Sequence, residues 1–188
     1  MDVSVDCIEL ENLSSIAVLS DGGHFHILQK CIVCLENQGH SSPVKLKQYG
    51  FHQPPESHEV LELRWSTLFN DQWRKSYADL KESVEDSAKG VAFLLMRRLG
   101  YDLFEQAARG TRVDYYMSKS SATGDDTFIF NGPNVFGLEI SGILNEPTKI
   151  QKRLHEKKDR IINADGFKPS IVVVVEHSAP QAAMEMVS

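Results

Sequence analysis

The sequence has few cysteines and no long apolar run. Its three cysteines are an odd number, which suits a reducing compartment better than a disulfide framework. The longest uninterrupted apolar stretch is Ile171–Val175, far below the roughly 20 residues needed to span a bilayer. The acidic N-terminus also lacks the basic and apolar segments of a signal peptide. We therefore expect a cytoplasmic protein with no membrane contact.

Excess positive charge and the familiar glycine motifs are also missing. The net charge is −6, so the molecule as a whole repels nucleic acid. The chain has no Walker phosphate loop, no dinucleotide-binding glycine fingerprint and no Gly-x-Ser-x-Gly elbow. Any contact with nucleic acid therefore has to come from a local basic patch, a metal ion or a partner.

Turn-forming clusters divide the N-terminal third into short segments rich in β-forming residues. The separators DGG, NQGHSSP and HQPPESH are dense in Gly, Pro, Asn, Asp and Ser, which favour turns. These segments predict an antiparallel β extension over residues 1–68. The predicted strands are Ile16–Leu19, His24–Glu36, Val44–Tyr49 and Val60–Trp65.

The hydrophobic period then changes and predicts an α/β core over residues 69–188. A helix is expected over Asp71–Leu99, with a break near Tyr77–Ala78, and Gly100 ends it. The run Ile171–Val175 is apolar on both faces, as in a central parallel strand that helices cover. The remaining predictions are strands at Tyr101–Ala107, Thr111–Ser118, Thr127–Phe130 and Val135–Ile143, a helix over Thr148–Asn163 and a last edge strand at Gln181–Val187.

Two carboxylates lie on strands of the core that we expect to be neighbours. Asp114 lies within RVDYYM and Glu139 within FGLEISGI, and a meander would bring these strands together. Carboxylates a few ångströms apart can share a divalent cation, which activates water and holds a phosphate. The following helix carries Lys149 and Lys152, which could stabilise developing charge. The pattern predicts a site for Mg²⁺ or Mn²⁺, with Asp114 and Glu139 as its ligands.

The order of these elements resembles the restriction-endonuclease-like nuclease superfamily. That core consists of a helix with a glutamate, a strand, a strand with Asp, a strand with Glu, a helix and a strand, and its motif is Asp, a spacer and Glu-x-Lys. The resemblance spans roughly residues 78–178. It implies a mixed sheet and a divalent-metal-dependent nuclease or nuclease-derived protein. By position, Asp114 matches the motif Asp and Glu139 the motif Glu.

Two further positions bear on this resemblance. Glu82 or Glu85 would be the helix carboxylate that many members of the superfamily carry, and Ser141 stands where the catalytic lysine belongs. That lysine positions or activates the attacking water. Some members carry it on the next helix, where Lys149 or Lys152 would serve, and without such a lysine the site would be inactive.

The segments ARGTRVDYYM, GLEISGI and CLENQGH also resemble a group of uncharacterised bacterial proteins. This second resemblance covers most of the chain and implies a bacterial origin, but it implies no mechanism. A nuclease in such an organism would act in genome defence or DNA processing.

The helix predicted to follow Glu139 contains the densest basic stretch of the chain. Lys149, Lys152, Arg153 and Lys157 cluster on one side at helical spacing. They could form a strip that binds the phosphates of nucleic acid. A solvated, charged outer face is the alternative interpretation.

Two interpretations without catalysis compete with the nuclease. Asp114 and Glu139 could alternate outward from a half-buried sheet or pair with Arg109 and Arg112. A non-enzymatic interaction module could also keep the sheet as a scaffold. It would bind a protein partner, or form a homo-oligomer, through an edge strand such as the one expected at Gln181–Val187 or through the N-terminal β layer. The acidic net charge and the absent motif lysine favour this alternative.

A further group of side chains could bind zinc. Cys-x-x-Cys with nearby histidines supplies the thiolates and imidazoles that zinc prefers. The pattern lacks a second ligand pair, and its two cysteines would point to opposite faces of the predicted strand. We therefore expect buried structural cysteines rather than zinc or redox chemistry. The group comprises His24, His26, Cys31, Cys34 and His40.

Overall fold

The computed structural model describes residues 6–20, 22–50, 57–119, 134–163 and 169–188. Short 3-10 helices in these ranges cover Leu10–Ser15 and Pro147–Lys149. The α-helices are α1 (Gly23–Asn37), α2 (Asp71–Ser76), α3 (Leu80–Arg98) and α4 (Ile150–Ile162). The strands are β1 (Cys7–Glu9), β2 (Val44–Gly50), β3 (His58–Arg64), β4 (Leu103–Gln106), β5 (Tyr115–Ser118), β6 (Phe136–Ile143), β7 (Ser170–Glu176) and β8 (Gln181–Val187).

The eight described strands form one mixed sheet in the order β1-β3-β2-β8-β7-β6-β5-β4. The pairs β1/β3, β2/β8 and β6/β7 are parallel, and the other neighbours are antiparallel. The expectation of a mixed α/β sheet with a central parallel strand is therefore confirmed. Strands from residues 1–68 and from residues 69–188 belong to this one sheet. The division into two domains at residue 68 stays a prediction.

Helices cover both faces of β7, which explains its unbroken apolar run. Ile171, Val173 and Val175 join the main core beneath α1 and α3, whereas Val172 and Val174 pack with α4. Each fully buried side chain of this size contributes roughly 1.5–3 kcal/mol to stability. None of the helices in the described ranges is both long enough and apolar enough to cross a membrane.

The segment His24–Glu36 lies in helix α1, so the prediction of a strand there is wrong. Its β-branched Ile32 and Val33 suggested a strand. However, Cys31 and Leu35 lie one helical turn apart and are buried in the main core, against α3. This packing outweighs the weak helix propensity of the β-branched residues.

Two other strand predictions are wrong in kind or in position. Ile16–Leu19 forms a turn, in which the Leu19 N–H donates to the Ile16 carbonyl at 3.0 Å. Gln181–Val187 is a strand, but it lies between β7 and β2 rather than at an edge. Its second side is covered because β2 continues the same sheet. The predicted antiparallel pairing of β2 with β3 is confirmed.

The predicted break in the long helix near Tyr77–Ala78 is confirmed. Asn70 and Asp79 cap α2 and α3, because each side chain accepts a hydrogen bond from an N–H in the first turn of its helix. Gly100 follows α3 with φ of 88°, a conformation that glycine adopts readily. The predicted strand at Thr127–Phe130 lies outside the described residues.

Helix α3 approaches the main chain of β6 at Gly142. A Cβ atom at this position would lie 2.4 Å from the carbonyl oxygen of Val84, which is closer than side-chain atoms pack. The absence of a side chain therefore lets the two backbones approach. This approach brings Glu85, the next residue of α3, to the strand.

Candidate functional site

Asp114 lies where β5 begins to pair with β6. Its N–H donates to the carbonyl of Leu138 at 2.9 Å, and its Oδ2 accepts the N–H of Ile140 at 2.8 Å. β5 pairs with β6 only over the first three residues of β6, as far as Leu138. The Asp114 carboxylate therefore satisfies the first N–H of β6 beyond this pairing.

A second carboxylate, that of Glu85, continues along the same edge of β6. Its Oε2 accepts the N–H of Gly142 at 3.0 Å. N–H groups two residues apart on a strand point to the same side and lie roughly 6.7 Å apart. Because Ile140 and Gly142 are such a pair, Asp114 and Glu85 are neighbours on one strand edge. The structure thus brings together two carboxylates that sequence reasoning selected.

Glu139 lies on β6 beside Asp114 and points towards α4. Glu139 is 5% exposed, and its Oε1 accepts a hydrogen bond from Lys157 Nζ at 2.5 Å. Burial raises the pKa of Glu139, and the charge of Asp114 raises it further, while Lys157 and Arg160 act in the opposite direction. The charge of Asp114 therefore disfavours the ionised form of Glu139.

Both carboxylates open into one cavity of about 660 Å³. This volume falls in the range of sites that take small ligands. One wall is the connection between β4 and β5, and α4 supplies the opposite wall. The charged residues that line the cavity are Arg109, Arg112, Asp114, Glu139, Lys157 and Arg160.

Three exposed arginines in this lining are not held by the protein itself. Within the described ranges, Arg109, Arg112 and Arg160 make no ion pair. The expected pairing of Arg109 and Arg112 with the two carboxylates is therefore not seen. Arg112 has φ of 66°, a left-handed conformation that costs a non-glycine residue about 1–2 kcal/mol.

Lys149 and Lys152 do not line this cavity. Lys149 Nζ lies 2.5 Å from Glu146 Oε1, and Lys152 is 75% exposed with its Nζ 3.9 Å from Glu156 Oε1. Of the predicted basic strip, only Lys157 reaches the carboxylates. The catalytic role assigned to Lys149 or Lys152 stays a prediction, and Lys157 is the lysine that the fold places beside Glu139.

The two remaining positions of the resemblance differ in their surroundings. Glu82 lies in the exposed first turn of α3, so Glu85 is the helix carboxylate that contacts β6. Ser141, at the position of the motif lysine, is 1% exposed, and its Oγ has no hydrogen-bond partner among the described residues. A lysine at this position would have to extend from a fully buried part of the strand.

The predicted group of cysteines and histidines does not converge on one point. Cys31 and Cys34 are buried in α1, as expected of structural cysteines, and burial raises the pKa of each thiol to about 12. His26 Nδ1 lies 3.0 Å from Tyr77 Oη, and His40 Nε2 lies 3.0 Å from a backbone carbonyl. Because of their raised pKa values, the thiols of Cys31 and Cys34 are neutral near pH 7.

Sequence reasoning missed a buried polar network that joins α3 to the end of β7. Ser87 Oγ lies 2.7 Å from His177 Nε2, and His177 Nδ1 lies 3.0 Å from the carbonyl oxygen of Ile143. Because a carbonyl only accepts, Nδ1 carries the proton and Nε2 accepts from the Ser87 hydroxyl. Burial lowers the pKa of His177 and favours its neutral form. No spacing pattern links these residues, since 90 positions separate Ser87 from His177.

The donor chemistry at Asp114 and Glu139 fits a hard divalent cation. In the described part of the chain, no cluster of three or more His, Cys, Asp and Glu side chains has metal-site geometry. The two carboxylates each use one oxygen for a donor of the protein. Mg²⁺ usually keeps several waters and takes only one or two carboxylates, so a third protein ligand is not required.

Comparison of the chain with protein-family models, with curated proteins and with solved structures gives no match. The interpretation of the cavity therefore depends on its own geometry. That geometry combines a carboxylate pair, a lysine and three arginines around one opening. Such a set can bind a phosphate ester and stabilise the charge that develops when it is attacked.

Proposed function

We propose that this protein is a divalent-metal-dependent nuclease on a restriction-endonuclease-like scaffold. The observation that carries the proposal is that Asp114, Glu139 and Lys157 meet at one cavity. The three residues come from three different elements, so their meeting is a property of the fold and not of sequence proximity. Phosphodiester hydrolysis needs this combination of oxygen ligands and a cation.

The arrangement of elements supports the assignment of the scaffold. The order α3, β4, β5, β6, α4, β7 repeats the helix, three strands, helix and strand of the superfamily. Glu85 lies on that first helix, Asp114 precedes β5 and Glu139 lies in β6. Glu85 and Glu139 lie on the helix and the strand to which the resemblance assigns them, and Asp114 lies one residue before its strand, which supports the proposal.

Each residue of the site has a distinct proposed role. Asp114 and Glu139 would hold Mg²⁺ or Mn²⁺, which when bound activates water and neutralises charge on the phosphate. Ser141 occupies the position of the motif lysine, and Lys157, which lies beside Glu139, would contact the scissile phosphate instead. Glu85 holds the edge of β6 through its bond to Gly142 and so positions the strand.

The electrostatics of Glu139 give the proposed activity a pH dependence. A carboxylate must be ionised to bind a cation, and the pKa of Glu139 is raised by burial and by Asp114. Metal binding and cleavage should therefore strengthen as pH rises through this pKa. The increase in metal binding and cleavage should therefore occur at a pH above about 4.3, where an ordinary glutamate ionises.

The structure removes part of the support for a non-enzymatic interaction module. It depended on an exposed edge at Gln181–Val187, but this strand is enclosed by β7 and β2. A second argument was the missing motif lysine, and Lys157 lies beside Glu139 instead. The third argument, the acidic net charge, still favours this alternative. A protein partner or a homo-oligomer stays a prediction without a surface assigned to it.

A cleavage assay tests the nuclease directly. Supercoiled, linear and single-stranded DNA and single-stranded RNA would be incubated with wild type, Glu139→Gln and Glu185→Gln in Mg²⁺ or Mn²⁺, with EDTA as the blank. We expect metal-dependent cleavage that falls by about 100-fold or more in Glu139→Gln, a loss typical of removing one charge-stabilising group. Glu185→Gln is the matched control, because Glu185 lies on the same sheet but pairs with Lys158 outside the cavity.

Two results would contradict the proposal. Wild type could fail to cleave every substrate in the presence of either metal. Alternatively, Glu139→Gln could cleave as fast as Glu185→Gln, which would assign the activity to a contaminant or another site.

A further inference from the structure

The cavity has a second charged feature that the proposed metal site does not use. Arg109 and Arg112 lie on the connection between β4 and β5, and Arg160 lies on α4. We call these three residues, which come from two different walls of the cavity, the arginine wall. The connection is closed at its base by the Ala107 N–H, which donates to the Asp114 carbonyl at 3.0 Å. The part of the arginine wall on this connection is therefore anchored to Asp114, which also supplies a carboxylate to the cavity.

The charge of the cavity is not balanced by the protein. Its lining contains four cationic side chains and two carboxylates, which leaves an excess of two positive charges. Only Lys157 is neutralised by a contact within the described residues, through its ion pair with Glu139. The excess therefore belongs to the arginine wall, in a protein whose net charge is −6.

Arginine favours a particular kind of ligand. Its planar guanidinium donates two parallel hydrogen bonds to a phosphate or a carboxylate. Guanidinium groups on two facing walls of a cavity can surround one such group. A surplus of two positive charges matches a phosphate monoester, which carries about −1.5 to −2 near pH 7, better than one internal phosphodiester, which carries one negative charge.

We propose that the arginine wall binds the terminal phosphate of a nucleic-acid strand. The inference rests on the proposed function for the identity of the ligand, but the binding itself needs no metal. A phosphate held by Arg109, Arg112 and Arg160 would place the adjoining phosphodiester in the same cavity as Asp114 and Glu139. The substrate class is then a strand end, and cleavage proceeds from that end rather than within the strand.

Binding in EDTA separates this inference from the nuclease proposal. Labelled single-stranded oligonucleotides with a 5′-phosphate, a 3′-phosphate or only hydroxyl ends would be titrated by fluorescence anisotropy into wild type. The variants are Arg109→Ala/Arg112→Ala and, from the other wall, Arg160→Ala. Lys45→Ala/Lys47→Ala is the matched control, since it removes two exposed cations of the same chain that lie on β2, outside the cavity.

We expect wild type to bind one phosphate-ended oligonucleotide about tenfold more tightly than the hydroxyl-ended one, the gain typical of charge-assisted bonds to one additional anionic group. The preference should disappear in Arg109→Ala/Arg112→Ala and weaken in Arg160→Ala, while the control keeps it. Equal affinity for all oligonucleotides would overturn the inference. Inorganic phosphate that competes as strongly as the oligonucleotide would also overturn it, because the site would then recognise a free anion.

Failure of the two proposals looks different. Metal-dependent cleavage without any end preference would remove the strand-end inference and leave the nuclease standing. An end preference in EDTA without cleavage would keep the arginine wall as a binding site and remove the nuclease. Thermal unfolding of each variant shows whether it is folded, and all three arginines are exposed, so their replacement leaves the core intact.

Discussion

Two buried glutamates of this sheet are held in opposite ways. Glu176, at the end of β7, is 0% exposed, and Glu139, in β6, is 5% exposed. Glu176 accepts three hydrogen bonds from the turn that follows it, from Ser178 N at 3.0 Å, Ser178 Oγ at 2.5 Å and Ala179 N at 2.9 Å. Glu139 accepts one, from Lys157, and faces the like charge of Asp114.

The two glutamates therefore differ in how the protein satisfies their charge. Both side chains are buried, so burial alone does not distinguish them. The turn that begins at Glu176 satisfies its own polar groups, and the neighbouring His177 is also bonded on both ring nitrogens. The cavity at Glu139 leaves the charge of its lining unbalanced, and a carboxyl group whose pKa is perturbed by burial and by a like charge is a candidate for function.

Removal of Glu176 should give the largest loss of stability. Glu176→Ala removes a buried carboxylate and leaves two N–H groups and a hydroxyl of the turn without their acceptor, and we expect the free energy of unfolding to fall by about 2–4 kcal/mol. Urea denaturation at pH 7 measures this loss. The control is Glu185→Ala, which breaks a more exposed ion pair with Lys158 and should cost less than about 1 kcal/mol. Equal losses would show that the turn at Glu176 is not a structural anchor.

Protonation of His177 should give the next largest effect. Burial lowers its pKa in the folded protein, so the unfolded chain binds more protons below its unfolded pKa of about 6.5. Stability should therefore fall as pH decreases below about 6.5, by at most about 1.4 kcal/mol per pH unit from this group. Urea denaturation from pH 7.5 to pH 5 measures the slope, and it should be smaller in His177→Gln. The same slope in that variant would assign it to other groups.

Arg112 should contribute strain instead of stability. Its φ of 66° suits glycine, so Arg112→Gly should raise the free energy of unfolding by about 1 kcal/mol, the cost of a left-handed conformation less the chain entropy of glycine. Arg112→Ala keeps the strain and should not gain stability. A gain in both variants, measured by thermal or urea denaturation, would mean that charge repulsion in the cavity, and not backbone strain, is relieved.

Asp114 should have its clearest effect on the titration of its neighbour. Because its charge raises the pKa of Glu139, Asp114→Asn should lower that pKa with only a small change in stability. Carbon-detected NMR titration of the glutamate carboxyl groups measures the shift. Asp86→Asn provides the comparison, since Asp86 pairs with Lys30 and Lys89 rather than facing Glu139. No shift in Asp114→Asn would show that the two carboxylates are not coupled.

Local pattern predicted much of the C-terminal part of the fold. Three features have a direct physical signal in the sequence: the unbroken apolar run of β7, the break between α2 and α3, and the end of α3 at Gly100. Helix α1 was missed because β-branched residues outweighed the four-residue spacing of Cys31 and Leu35. The interior position of β8 could not be predicted, since it depends on pairing with β2, more than 130 positions away.

The proximity of Asp114 and Glu139 to one cavity could be predicted from the sequence, but the lysine of the basic strip that lies beside them could not. Asp114 and Glu139 belong to strands whose neighbourhood follows from a meander. The helix in a crossover between parallel strands runs back along the sheet, so its first residues lie near the end of β6. Roughly 13 Å separates Ile143 from Glu139 along the strand, and only a residue about two turns into α4 covers that distance. Lys157 lies two turns beyond Ile150, whereas Lys149 and Lys152 lie too early.

Calorimetric titration of Mn²⁺ tests the central claim most directly. Wild type and Asp114→Asn/Glu139→Gln would be titrated at pH 7.5, with Lys152→Ala as a control that leaves the cavity unchanged. The account predicts one saturable site per chain in wild type and in the control, and none in the double variant. Wild type without a binding signal, or a double variant that binds Mn²⁺ as wild type does, would contradict the assignment of Asp114 and Glu139 as metal ligands.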